Sequence, residues 1–404
     1  MRAVGIIAEY NPFHSGHAYQ LARAREAARA DVAIVAMSGA FTQRGEAALI
    51  DKWTRARMAL MNGADMVLEL PCLFALREAK GFAEGGVRLL SALGAVQALS
   101  FGCEEGLAEL IDPVARCLGE EPPAYRAGLR AALDGGLSYP RARAQAAADA
   151  LGLDANALNQ PNFALALEYA QANARLGHPL ELLPVVRTSD YHGHELGAVC
   201  SASAIRAAVA RGELSGALAG LPANCRPLLS AALAGAEGAE APCALSDDAF
   251  LGKLSLLTLR NLTPEELSAY PGVGEGLERL ICRKARLCPD ADALIAACKS
   301  KRYTYARLRR LLPQVALGIT RRMQEAHPRP TYARVLACRR SALGLLGELK
   351  RASSLPLVTD VRELDGDPIW ELETRATDLW GLCAANPEYR RAGRDWTHRF
   401  TIEP

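Results

Sequence analysis

The sequence predicts an α/β fold: a doubly wound parallel sheet, then a mainly helical second domain and a small mixed C-terminal region. Two observations carry that prediction. In the first hundred residues short β-branched, almost unbroken apolar runs alternate with longer Ala-rich stretches, and from about residue 107 the pattern turns helical. Strands buried on both faces have no polar side to show, and parallel neighbours need a connection long enough to hold a helix. The 404 residues exceed one ordinary core, since domains run at roughly 150 residues each.

Taken in order, Ala3 to Glu9, Val32 to Met37, Met66 to Leu70 and Val96 to Phe101 read as strands, each followed by a helix-like stretch. Leu107 to Ala174 is helical, and Leu180 to Val186 returns as a fifth strand. Another helix follows Arg206. The Gly, Pro and Ala of Leu221 to Pro242 mark a connection between domains. Leu245 to about His327 is mainly helical; beyond Tyr332, strand-like runs at Val335 to Cys338 and Leu355 to Val361 mix with helices. The expected division is therefore 1–220, 221–330 and 331–404. In doubly wound sheets ligands bind at the carboxyl ends of the strands, so the loops opening at Tyr10, Ser38, Pro71 and Gly102 frame the expected site.

Composition excludes several classes. Half the residues are apolar and 23% charged, as in a folded globular protein, and a net charge of +2 means that any nucleic-acid binding rests on local clusters of Lys and Arg. Eleven scattered cysteines, an odd number with no CxxC pair, argue for a reducing cytoplasm over a disulfide framework. The opening MRAVGIIAEYNPF is too short and too polar for a signal peptide, and no run of about 18 apolar residues occurs, so no membrane is expected. Nothing in the sequence speaks to oligomeric state.

The strongest motif is EYNPFHSGHAYQLARA, in which His14 and His17 flank Ser15-Gly16 where the first strand gives way to a helix. A helix N-terminus offers backbone N–H groups and a positive dipole to phosphate, and Gly16 permits close approach. Two imidazoles three residues apart can donate to phosphate oxygens as charge builds on leaving pyrophosphate. A zinc pair is the alternative, but no third ligand stands nearby. The second motif, CSASAIRAAV, sets Ser201, Ser203 and Arg206 at another helix start; hydroxyls and amides there suit the β- and γ-phosphates, while Ser203 also reads as an ordinary cap. Gln43 and Arg44, in SGAFTQRG, lie on the same rim, where the Arg either orients a carboxylate or α-phosphate or is simply solvated. His192 and His194, in YHGHE, lack further metal ligands. KSKRYTYARLRRLL holds Lys299, Lys301, Arg302, Arg307, Arg309 and Arg310 around Tyr303 and Tyr305 with no acid, a composition that suits RNA phosphates and unpaired bases as well as a solvated helix face. YPGVGEGLERLI faintly resembles a helix-hairpin-helix turn.

The segments EYNPFHSGH, MSGAFTQRGEAALIDKW, GADMVLELP, LSFGCEEG, PNFALALEY, SASAIR and SKRYTYARLRRLL together resemble blocks of the tRNA(Met) cytidine acetate ligase family, within the HxGH nucleotidyltransferase-like superfamily, over roughly residues 1 to 340. That resemblance implies an ATP-dependent ligase that activates acetate to acetyl-adenylate, with Mg²⁺, and then acetylates the wobble cytidine amine of elongator tRNA(Met), forming N4-acetylcytidine. It implies that 1–220 is the ATP-binding catalytic domain and 221–330 the tRNA-binding one. It further implies ATP contacts at Ile7, Ala8, Glu9, Tyr10, Asn11, Pro12, Phe13, His14, Ser15, Gly16, His17, Ala18, Tyr19 and Gln20, and at Gly102, Asn162 and Arg187. Their residue types agree: a strand-end glycine lets a nucleoside lie on the backbone, and Arg187 after the fifth strand suits an anion, whereas Asn162 also reads as a helix cap. The chain departs from the family pattern at Phe163, usually Asn, and at Cys103, usually Ser. Two rivals share these motifs: a nucleotidyltransferase acting on a small phosphorylated metabolite, and a nucleotide-regulated RNA-binding protein.

Overall fold

The computed structural model describes residues 1–186, 201–234, 249–384 and 386–404. Its centre is a sheet of β1 (Ala3–Ala8), β2 (Val32–Ser38), β3 (Met66–Leu70), β4 (Val96–Cys103), β5 (Glu181–Val186), β6 (Ala333–Arg339), β7 (Leu357–Val358) and β8 (Thr401–Glu403). The order is β5-β4-β1-β2-β3-β6-β7, with β8 also on β6. β1 to β5 are parallel, as the β–helix–β alternation requires, and β6 joins β3 antiparallel. The C-terminal strands therefore extend the sheet that the first hundred residues begin.

The apolar runs form strands because both their faces are covered. Along β1, Val4 and Ile6 face one cluster and Ala3 and Ile7 the other, the period-2 alternation of a strand. On the first side lie α1 (Ser15–Ala28) through Leu21, Ala24 and Ala28, and α2 (Lys52–Leu60) through Ala56, Met58 and Ala59. On the other lie the helices Ala79–Ala92 and Pro161–Arg175. The first of these packs so closely on β1 that a Cβ on Gly86 would fall 2.6 Å from Ile7 Cδ1. A third apolar cluster gathers residues of 256–315 only.

The structure departs from the sequence reading in two segments and adds one strand. Within the connection expected over Leu221 to Pro242, Arg226–Ala234 is a helix, because Leu229 and Ala232 bury themselves against the α1 side of the sheet and Ala and Leu favour helix. Leu355 to Val361 yields only the two residues of β7, and β8 had no apolar run to betray it.

A closed ionic cluster ties α2 and β3 to the C-terminal elements. Lys52 Nζ lies 2.5 Å from Glu69, 2.8 Å from Asp395 and 3.6 Å from Glu373, and Arg334 lies 2.7 Å from Glu69 and 2.5 Å from Asp395. All five side chains are at most 3% exposed. Three carboxyls face two cations, and burial together with the Glu69 charge pushes Glu373 well above the carboxylate range. Asp395 goes the other way: burial raises it, but Arg334 and Lys52 prevail and hold it down to about 2. A protonated Glu373 leaves the cluster electrically neutral, which a site without water demands.

Candidate active site

The first site residues follow directly from the end of β1. The chain leaves the strand at Ala8, turns through Tyr10 in the left-handed region (φ 47°), and enters α1 with His14 as the extended N-cap. The imidazoles act as the caps. His14 Nδ1 accepts the Gly16 N–H at 3.1 Å, and His17 Nδ1 accepts the His14 N–H at 3.3 Å. Nδ1 of both rings is thus engaged by the backbone of the helix start. The rings lie 3.7 Å apart between centroids, tilted by 33°. They stand together beside a helix N-terminus, a combination that suits phosphate.

A cavity of about 370 Å³ opens over the carboxyl ends of β1 and β4. From the first loop it is lined by Ile7, Ala8, Glu9, Tyr10, Asn11, His14, Gly16, His17, Tyr19 and Gln20. Pro12, Phe13, Ser15 and Ala18 do not line it; Ser15 is turned to Gly220 O at 3.1 Å. Gln43, Arg44, Gly102, Asn162 and Arg206 complete the polar wall, with Phe82, Phe101, Leu165 and Tyr169 as apolar surface. Volume and lining are those of a small-molecule site.

Arg206, Asn162, Gln43 and Glu9 are held from behind. Arg206 donates to Asn11 O at 2.7 Å and pairs with Glu46 at 2.9 Å, so the second motif clasps the first. Asn162 donates to Glu104 Oε1 through its N–H (3.0 Å) and its side chain (2.8 Å), and the Phe163 N–H donates to Glu104 Oε2 at 2.8 Å. Glu104 thus occupies the start of the Pro161–Arg175 helix, a role that its sequence neighbours do not reveal. Gln43 sends its N–H to Glu9 Oε1 at 2.6 Å and its side chain to Arg77 O at 3.2 Å. Burial raises the Glu9 carboxyl, opposed by the Gln43 N–H and by the charges of Arg206 and Arg44.

Other expected residues fall elsewhere. Ser201 is the N-cap of the helix Ala202–Ala210, accepting from the Ala204 N–H at 3.2 Å and lying 3.0 Å from the Ser203 hydroxyl. Neither serine lines the cavity; Ala202 and Arg206 do. Arg187, His192 and His194 lie outside the described residues.

The basic segment divides. Lys299, Lys301 and Arg302 are exposed, Arg302 lying 3.1 Å from Glu275. Arg307 donates to Gly272 O at 2.5 Å, Arg309 is buried, and Arg310 donates to Gln43 O at 2.7 Å. Tyr303 is buried with its hydroxyl on Glu275 O at 2.7 Å, while Tyr305 is half exposed. The Gly272 to Glu275 turn faces this segment with its carbonyls. Where Arg310 docks, the backbones touch: Gly45 (φ 81°) has room for no Cβ, since one would lie 2.5 Å from Arg310 Cα.

Among the described residues no group of three or more His, Cys, Asp or Glu is arranged for a metal, and no helix is long and apolar enough to cross a membrane.

Residues 1–395 match the family model of HIGH nucleotidyl transferases. Over their full lengths the chain is 35% identical to the tRNA(Met) cytidine acetate ligase of Acetivibrio thermocellus. It is likewise 35% identical to that of Clostridium acetobutylicum, over 96% of this chain and 97% of the relative. Among solved structures, Thermotoga maritima TmcAL bound with alpha-thio ATP superposes with a TM-score of 0.89 at 30% identity, and the apo form with 0.90 at 29%, each covering both chains completely.

Proposed function

Because the chain belongs to the HIGH nucleotidyl transferase family and, within it, to the tRNA(Met) cytidine acetate ligases, we propose that it activates acetate with ATP to acetyl-adenylate and transfers the acetyl group to the wobble cytidine of elongator tRNA(Met) as N4-acetylcytidine, in the cytoplasm. The observation that carries this reading is the pair of imidazoles held by a helix start at the rim of a cavity of about 370 Å³. Acetate attacks the α-phosphorus in line and pyrophosphate leaves. The imidazoles of His14 and His17 and the Arg206 guanidinium meet the negative charge that grows on the phosphates.

Gly102 and Asn162, on the β4 side, receive the nucleoside, and Arg44 on the opposite rim suits the acetate carboxylate. The cavity wall supplies a single carboxylate among its described residues, which fits Mg²⁺ held by phosphate oxygens and water rather than by a protein cage. Held in that way, Mg²⁺ would supply charge neutralisation for the pyrophosphate leaving group. We assign ATP chemistry to 1–220 and tRNA contact to 221–330, with Lys299, Lys301 and Arg302 as its exposed cations. Residues 331–404 complete the sheet.

The test is direct. Purified protein with ATP, Mg²⁺, labelled acetate and bulk tRNA should exchange pyrophosphate only when acetate is present and should label elongator tRNA(Met). Exchange without labelled RNA defeats the transfer step; acetate-independent exchange with a phosphorylated metabolite defeats the ligase reading.

A further inference from the structure

We propose that Glu9 is the base that accepts the proton released when the cytidine amine attacks acetyl-adenylate; this rests on the ligase reading above and names a group which that reading leaves open.

The chemistry requires an acceptor. As the amine attacks, a bond forms between its nitrogen and the acetyl carbon, the bond from that carbon to the phosphate oxygen breaks, and AMP departs with the electron pair. The nitrogen must shed one proton. Its lone pair is delocalised into the pyrimidine ring, so attack is uphill until that proton has somewhere to go.

The cavity wall offers few places. His14 and His17 have Nδ1 committed to backbone N–H groups, and the reading above turns both rings to the phosphates. Arg44 and Arg206 are cations; Asn11, Gln20, Gln43 and Asn162 are amides. The Tyr10 and Tyr169 phenols are buried, and burial raises both above the ordinary phenol range, so neither is an available phenolate. Glu9 is the one carboxylate among the described residues of the wall. It is half-buried, open to the cavity on one side.

Its placement suits the task. Oε1 is pinned by the Gln43 N–H at 2.6 Å, and no other described residue bonds Oε2. The Glu9 carbonyl accepts from Arg55 at 2.7 Å, so backbone and side chain are both fixed. The following peptide is anchored in turn, its Gln43 carbonyl accepting from Arg310 at 2.7 Å. Partial desolvation makes the carboxylate a stronger base than a solvated one. After transfer the proton rests on Oε2 and passes to water when the products leave.

Glu9→Gln separates this role from nucleotide handling, because the amide oxygen still accepts from Gln43. Three rates are compared: acetate-dependent pyrophosphate exchange, capture of acetyl-adenylate by hydroxylamine as acetohydroxamate, and acetylation of tRNA. Hydroxylamine is nucleophilic enough to do without the base. The ratio of tRNA acetylation to exchange should fall by about 10²–10⁴ in Glu9→Gln, with hydroxamate formation following exchange. Glu9→Asp, which keeps a carboxylate one methylene short, should lose less of that ratio. Transfer falling no further than exchange, or Asp and Gln losing the ratio equally, overturns the proposal. Wild-type protein that neither exchanges pyrophosphate nor labels tRNA overturns the ligase reading instead.

Discussion

Two clusters of charged and polar groups in this chain are built on opposite plans. Beneath β3 and β6, Lys52, Arg334, Glu69, Glu373 and Asp395 answer one another, side chain to side chain, with no opening to water. Over β1 and β4, His14, His17, Glu9 and Asn162 are gripped from behind, mostly by backbone N–H groups or by Glu104, and each keeps one edge toward the cavity. A charge matched by its neighbours can only hold elements together, whereas one oriented by the backbone can still act on a ligand. The first plan stabilises; the second prepares chemistry.

The sharpest way to break the contrast is to unpair the closed cluster. Arg334→Met leaves Glu69 and Asp395 short of a cation and should cost about 3–5 kcal/mol of folding stability, read as a lower urea midpoint, with ATP affinity of the folded fraction unchanged. Its counterpart is His14→Ala, which should slow acetate-dependent pyrophosphate exchange by about 10²–10³ while removing only about 1 kcal/mol of stability with the lost cap. If the two variants exchanged their effects, the closed cluster and the cavity would not differ in kind.

A finer test uses protons. Glu373 is raised in the folded state, so above its unfolded value the folded chain holds a proton that the unfolded chain has released, and stability falls as pH rises toward the folded value. The difference in unfolding free energy between wild type and Glu373→Gln should therefore shift against wild type by about 1.4 kcal/mol per pH unit over that window. A difference that is flat across pH 5 to 8 would mean that Glu373 is ionised. Smallest is Glu104→Ala: Asn162 loses its anchor, and KM for ATP should rise about fivefold, near 1 kcal/mol, with kcat little altered.

The sequence made parts of this legible and hid others for physical reasons. β1 to β4 stood out because strands covered on both faces must be apolar throughout, and His14, Gly16 and His17 stood out because their geometry is local to one helix start. β7 and β8 are short and exist through pairing with β6, so no periodicity marks them. Glu104 meets Asn162 across 58 residues, and Arg310 meets Gln43 across 267; such contacts leave no spacing to read. Charge counts also misled in one respect. The run from Lys299 to Arg310 reads as a single basic face, yet Arg309 is buried and Arg310 turns to the Gln43 carbonyl in another segment.

The contact between Gly45 and Arg310 carries a consequence for how this protein can change over time. Where two main chains meet with no side chain between them, neither strip of sequence is free to drift alone, and an insertion in either would prise them apart. The helical portion is thus no interchangeable attachment: transplanted onto another catalytic scaffold, it would arrive without the peptide it was shaped to meet, and the scaffold it left would lose a buttress one residue from its reactive wall.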